Sequence, residues 1–221
     1  MWRAISALSI LPAPAWACEL ALLLAVDVSG SVDAQEYRIQ MDGLAHALRD
    51  GIVADALVDQ RAEVALVQWT GASRQRQTIA WTPLRTYQDV LSLAERISAD
   101  ERVWRNYSTA IGEALLVSRA AFGPVAHCHR KVIDVSGDGV SNEGIEPSTQ
   151  RAALNEAQIV VNAIAIETDQ TDLTAYFFEN VITGAGAFVE TANGFEDYPE
   201  KIKRKLQRET TKQVTGVARR P

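Results

Sequence analysis

The sequence predicts an α/β fold: a doubly wound, mostly parallel sheet, Rossmann-like, with helices on both faces. Two observations carry this reading. Apolar runs without alternation, such as Leu20–Val26 and Ile159–Ile166, are the mark of strands buried on both faces, the habit of parallel sheets. Segments whose apolar residues recur at helical spacing lie between the runs, so strands and helices alternate along the chain.

The elements follow in order. Glu19–Val26 is the first strand. Asp33 with Glu36 forms a capping box that opens a helix whose apolar face is Tyr37, Met41, Leu44, Ala45 and Leu48; Gly51 reads as its stop. Glu63–Trp69 is a strand ended by Gly71. Gln77–Trp81 is a short one closed by Pro83, and the tight spacing of these two makes a hairpin. Helices are predicted over Tyr87–Ile97 and from Thr109 to Phe122, then a strand over Lys131–Val135. Thr149–Glu156 is helical, Ile159–Ile166 a strand, Leu173–Asn180 a short helix and Ala187–Glu190 a last short strand. Phe195, Tyr198, Ile202 and Leu206 mark a basic C-terminal helix, and residues 212–221 read as a frayed tail. No linker splits residues 18–211, which form one domain.

The chain has 221 residues, 47% of them apolar, with 22 Lys+Arg against 28 Asp+Glu. That apolar fraction excludes wholesale disorder, and the net charge of −6 argues against a general nucleic-acid binder, which carries a basic face. Residues 1–17 have the layout of a secretory signal peptide: Arg3, a short apolar run over Ala4–Leu11, then Ala15-Trp16-Ala17 before Cys18. Cleavage near Ala17 would place the protein in the periplasm or outside the cell. No later segment is long and apolar enough to span a bilayer. Cys18 and Cys128 are the two cysteines. An even count in an exported protein suggests a disulfide; His127 and His129, flanking Cys128, keep a metal open as the other reading.

In doubly wound folds ligands bind outside the carboxyl ends of the strands. Three loops there carry hard oxygen: Asp27-Val28-Ser29-Gly30-Ser31, the segment ending in Thr109, and Ser136-Gly137-Asp138-Gly139. Taken singly, each loop is explained by helix caps and turns. Together, Asp27, Ser29, Ser31, Thr109 and Asp138 offer two carboxylates and three hydroxyls, the donors that suit Mg²⁺ or Mn²⁺.

Asp27-x-Ser29-x-Ser31, Thr109 followed by Ala114-Leu115, and Asp138-Gly139 resemble the metal-ion-dependent adhesion site of von Willebrand factor A domains. Val132–Gly139 and Gly186-Ala187-Phe188-Val189 further resemble an uncharacterised bacterial group of exported A-domain proteins. The resemblance implies a six-stranded sheet ordered 3-2-1-4-5-6, with the strand near Thr78 antiparallel at one edge. It implies that Ser29, Ser31 and Thr109 ligate the metal through their hydroxyls, that Asp27 and Asp138 act through bound water, and that a carboxylate from a protein partner completes the shell. Gly137 departs from the pattern, because many members carry Thr there. In this strand order the starts of the first strand and of the one at Lys131 are neighbours, which implies a Cys18–Cys128 bridge.

The reading is a binding module, not an enzyme. The alternative is a Mg²⁺-dependent phosphatase resembling haloacid dehalogenases, whose late metal loop is similar to Ser136–Asn142. That family needs a second Asp two residues after its nucleophile, where Ser29 stands, and Lys131 stands at the start of its strand and so falls at the wrong end of the sheet. G-x-G-x-x-G, G-x-x-x-x-G-K-[ST] and G-x-S-x-G are all missing from the sequence at the required places. Around the metal loops, Trp104, Arg105, Tyr107, Asn142 and Glu143 are the residues expected to meet the partner, aromatics and Arg being favoured in binding patches.

Overall fold

The computed structural model describes residues 18–168 and 172–211. The predicted signal peptide and C-terminal tail lie outside these residues. The described strands are β1 (Leu20–Asp27), β2 (Glu63–Trp69), β3 (Gln75–Pro83), β4 (Arg130–Gly137), β5 (Ile159–Ile166) and β6 (Val189–Ala192). The helices are α1 (Ala34–Leu48), α2 (Gly51–Asp59), α3 (Tyr87–Ala99), α4 (Ile111–Ala120), α5 (Arg151–Glu156), α6 (Leu173–Asn180) and α7 (Tyr198–Thr210). The strands form one sheet in the order β3-β2-β1-β4-β5-β6. Only β3 runs antiparallel, against β2; the other four pairings are parallel.

The unbroken apolar run of β1 is explained by its central place. Leu20, Leu22, Leu24 and Val26 pack on the side of α1, α2, α3 and α7. Ala21, Leu23 and Ala25 pack on the opposite side with α4, α5 and α6. Every β1 residue is buried. The predicted capping box is present: Asp33 accepts from the Gln35 and Glu36 amides, while the Glu36 carboxylate accepts from the Asp33 amide. Tyr37, Met41, Leu44, Ala45 and Leu48 are all buried.

Several boundaries differ from expectation. Gly51 does not end the helical region but begins α2, because Asp50 caps a new helix by accepting from the Ile52 and Val53 amides. β3 is longer than Gln77–Trp81. α4 starts at Ile111, and its N-cap residue is Ala110, not Thr109. The helix expected over Thr149–Glu156 is a short 3-10 helix, Pro147–Gln150, leading into α5. β6 lies two residues later than predicted.

Two internal fastenings hold the layers. Cys18 and Cys128 form a disulfide, 110 residues apart in sequence, just before the parallel neighbours β1 and β4 begin. On the α1/α7 side, Lys205 of α7 is fully buried and its Nζ lies 2.5 Å from both Asp134 Oδ1 on β4 and Glu209 Oε1 on α7. Asn162, the register neighbour of Asp134 on β5, donates to Glu209 Oε1 at 2.8 Å and accepts from the Phe188 amide. Among the described residues no helix is long and apolar enough to cross a membrane.

Candidate metal centre

β1, β2 and β4 run in the same direction, so their carboxyl ends open onto one edge of the sheet. Asp27 ends β1 there and is completely buried. Its Oδ1 accepts the Ser29 amide at 2.7 Å, a side chain to backbone turn typical of Asp. This turn throws Ser29 and Ser31 to one side before Asp33 starts α1. The Ser29 and Ser31 hydroxyls lie 3.2 Å apart, and Ser31 Oγ donates to Asp138 Oδ1 at 2.7 Å. Four of the five predicted oxygen-bearing residues are thus joined in one run, its last link spanning the 107 positions between Ser31 and Asp138.

Thr109 is positioned by backbone lacing. Its amide donates to Asn142 Oδ1 and its carbonyl accepts the Asn142 amide, both at 2.9 Å. Asn142 belongs to the loop that follows Asp138. A Cβ built on Gly139 would stand 4.0 Å from Thr109 Oγ1, so the threonine side chain faces the Asp138 loop. The Gly30 amide donates to the Tyr107 carbonyl at 2.7 Å, and the Ala110 amide to the Thr70 carbonyl at 3.0 Å. The three loops are therefore stitched to one another.

Burial is the main reason the Asp27 carboxyl is pushed up to about 8, and the neighbouring Asp138 charge adds to it. Asp138 is raised as well, by burial first. Asp27 Oδ2 is buried and has no hydrogen-bond partner among the described residues. Two crowded carboxyls, an unpartnered carboxylate oxygen and three nearby hydroxyls are a set that a divalent cation with hard-oxygen preference would satisfy. The residues present therefore fit such an ion.

Supporting side chains without a sequence signature complete the arrangement. Arg102 donates to the carbonyls of Val28 and Ser29, at 3.0 and 2.8 Å, and its charge opposes the upward shifts of both acids. Gln40 of α1 donates to the Asp27 carbonyl and accepts from Ser136. Gly137 acquires a steric reason: a Cβ there would stand 3.2 Å from Asp27 Oδ2, with the Phe177 and Trp69 rings at 3.3 and 3.5 Å. A side chain at this position would need Asp27 Oδ2 and the Phe177 ring to give by a few tenths of an ångström.

Of the expected rim, Arg105 and Tyr107 are exposed. The Arg74 guanidinium covers the Tyr107 ring, 3.9 Å from its centroid. Trp104 is partly buried against the α1/α7-side core. Glu143 accepts the Ala72 amide at 3.0 Å, and Asn142 is engaged with Thr109 as described.

Gly112, in the first turn of α4, shows how closely these loops are packed. A Cβ on it would fall 2.0 Å from the Ile145 carbonyl oxygen. Gly112→Ala is expected to destabilise the fold by about 1–3 kcal/mol through overpacking, read as a lowered midpoint in urea denaturation. An unchanged midpoint would mean that the Ile145 loop yields freely.

Comparison with known proteins agrees with this fold. The family described as "Protein of unknown function (DUF1194)" matches residues 17–214. No curated protein matches the chain. Among solved structures, proximal thread matrix protein 1 from the mussel byssus, with a zinc-occupied MIDAS motif, superposes with a TM-score of 0.65 at 16% identity, covering 88% of this chain and 46% of that one. A von Willebrand factor type A protein from Catenulispora acidiphila gives 0.59 at 18% identity, covering 87% and 43%. The pilus adhesin SpaC from Lactobacillus rhamnosus GG, in an open conformation, gives 0.62 at 11% identity, covering 86% and 30%. The chain spans less than half the length of each of these proteins. These likenesses establish the fold, which is that of von Willebrand factor A domains.

Proposed function

The chain belongs to the family described as "Protein of unknown function (DUF1194)", and from that premise and its fold we propose that it is an exported, divalent-metal-dependent protein-binding module of the adhesion type. The observation that carries this reading is the convergence of Asp27, Ser29, Ser31 and Asp138 in one hydrogen-bonded run, with Asp27 Oδ2 buried and unpartnered. The byssus and pilus proteins that share the fold, one of them with a metal in the corresponding motif, support it.

In this reading Ser29, Ser31 and Thr109 hold Mg²⁺ or Mn²⁺ through their hydroxyls, and Asp27 and Asp138 act through bound water. The ion supplies an electrophilic position for a carboxylate of the partner. The chain's own residues do the rest. Arg102 and Gln40 fix the loop carbonyls, and Asn142 fixes Thr109. Arg105 and Tyr107 are the exposed side chains that would meet the partner, with Trp104, Asn142 and Glu143 supporting the rim.

Calorimetric titration of Mn²⁺ tests the centre. Ser29→Ala is expected to weaken binding by about tenfold or more while leaving the urea midpoint of the metal-free protein little changed. Equal affinities in wild type and variant would remove the proposal. The partner is sought by mass spectrometry of proteins retained on the immobilised chain, with retention lost both in chelator and in Ser29→Ala.

A pH dependence follows. A cation must displace the proton that burial and the neighbouring Asp138 charge keep on Asp27, so binding releases a proton. Mn²⁺ affinity is expected to be about tenfold or more weaker at pH 6 than at pH 8, with buffer-dependent heats reporting the released proton. A pH-independent affinity would contradict this.

A further inference from the structure

At the pole opposite Asp27, where β1 and β4 begin, an imidazole lies beside the disulfide. His127 Nε2 is 4.0 Å from Cys128 Sγ. The ligand-capable atoms of Cys18, His127 and Cys128 all lie within 4.8 Å of one another. Both cysteines are buried while His127 is exposed, so the cluster is closed toward the core and open toward solvent on the histidine side.

Two thiolates and an imidazole are a zinc donor set, and three protein ligands with one open position give a tetrahedral site completed by water. With Zn–S near 2.3 Å and Zn–N near 2.0 Å, ligand atoms around a tetrahedral ion stand about 3.5–3.8 Å apart. The His127–Cys128 pair already has nearly that spacing. The sulfurs, 2.06 Å apart in the disulfide, have to separate by under about 2 Å, a distance that side-chain rotation covers. The strand pairing beside them, Leu20 opposite Arg130, keeps the two cysteines together when the covalent link is open.

We propose that the reduced form of this pole is a zinc site made by Cys18, Cys128 and His127, with water as fourth ligand. Disulfide and metal are then alternative fastenings of β1 to β4. The exchange balances as follows. A protein dithiol attacks the disulfide and is itself oxidised to a disulfide, passing two electrons and two protons to Cys18 and Cys128. Zinc then binds both sulfurs as thiolates and releases the two protons to solvent. The site is independent of the centre at Asp27, whose ligands are all oxygen.

The test uses Co²⁺ as the spectroscopic probe. The folded chain is reduced with a phosphine, and two free thiols are confirmed by titration before metal is added. Reduced wild type is expected to give a sulfur-to-cobalt charge-transfer band and tetrahedral d–d bands at one equivalent, both displaced by Zn²⁺. The oxidised chain is expected to give neither, and an all-oxygen site cannot produce the sulfur band. His127→Ala is expected to weaken Co²⁺ binding by about tenfold or more, and Cys18→Ser with Cys128→Ser to abolish the sulfur band. No sulfur band in the reduced chain overturns the proposal, as does unaltered affinity in His127→Ala. If reduction lowers the far-ultraviolet dichroism, recovery on adding Co²⁺ supports the site and failure to recover overturns it.

Discussion

Lys205→Met is expected to destabilise the fold by about 3–5 kcal/mol at pH 7, because removing one partner of a buried ion cluster leaves uncompensated charge. Lys205 Nζ is the only cation in contact with Asp134 and Glu209 among the described salt bridges, at 2.5 Å from each. Methionine keeps the length of the side chain and removes the charge. The loss depends on pH. Burial, then the Asp134 charge, raise Glu209 from 4.5 to about 8. A folded carboxyl that holds its proton more tightly than the unfolded one contributes stability that is full below about pH 4.5 and is lost as pH climbs to about 8. Stability therefore declines across that window in wild type on this account. The decline is expected to be steeper in Lys205→Met, whose carboxylates lose their counter-charge, and shallower in Glu209→Gln, which removes the titrating group. The groups facing Glu209 are Lys205 on its own helix, Asp134 on β4, Asn162 on β5 and Arg130 at the start of β4, whose guanidinium donates to the Glu209 carbonyl at 2.7 Å. Urea denaturation at pH 5, 7 and 8, with each variant compared against wild type at the same pH, reads these differences. A cost below about 1 kcal/mol for Lys205→Met at pH 8 would refute the account.

Replacing both cysteines, Cys18→Ser with Cys128→Ser, is expected to lower stability by about 4–5 kcal/mol in the chain-entropy treatment, since the bridge closes a loop of about 110 residues. The effect comes mostly from a freer unfolded chain. Native contacts of β1 with β4 remain, with seven register pairs in place. The double variant is therefore expected to keep a native far-ultraviolet dichroism spectrum and to bind Mn²⁺ at the Asp27 centre within about twofold of wild type, given independent, well-separated sites. Guanidinium denaturation and calorimetry check the two halves of this prediction. A large loss of Mn²⁺ affinity would mean that the two poles of β1 are coupled.

Much of this was legible in the sequence, and the exceptions have physical causes. β1 and β5 declared themselves because a strand covered on both faces has no polar side to show. The strand order and the pairing of Cys18 with Cys128 were expected from the family resemblance rather than from periodicity, and both are found. α2 was not anticipated, because a glycine after an apolar helix usually ends it. Here Asp50 precedes Gly51 and caps a second helix, and that pairing was the available signal. The Asp134–Lys205–Glu209 cluster was also missed. Lys205 and Glu209 stand on the same stripe as Tyr198 and Ile202, and Asp134 and Asn162 interrupt otherwise apolar strands. Each is an ordinary residue until the register of β4 with β5 and the docking of α7 put them together. At the candidate metal centre the oxygen-bearing loops were visible by motif. Arg102 and Gln40 were not, since they act on backbone carbonyls, which any residue supplies.

The placement of Cys18 and of the end of α7 has a mechanical consequence. Cys18 leads into β1, and the Thr210 carbonyl at the end of α7 accepts from Gln60 Nε2, while the Glu19 amide donates to the Gln60 carbonyl. Entry and exit thus share one pole. β1, eight residues long, carries the distance of about 25 Å from that pole to Asp27. A tether attached at the entry and a load pulling on the Asp27 loop would draw on β1 lengthwise. The hydrogen bonds on its two flanks, to β2 and β4, would then be strained in shear, many at once, rather than peeled open one after another.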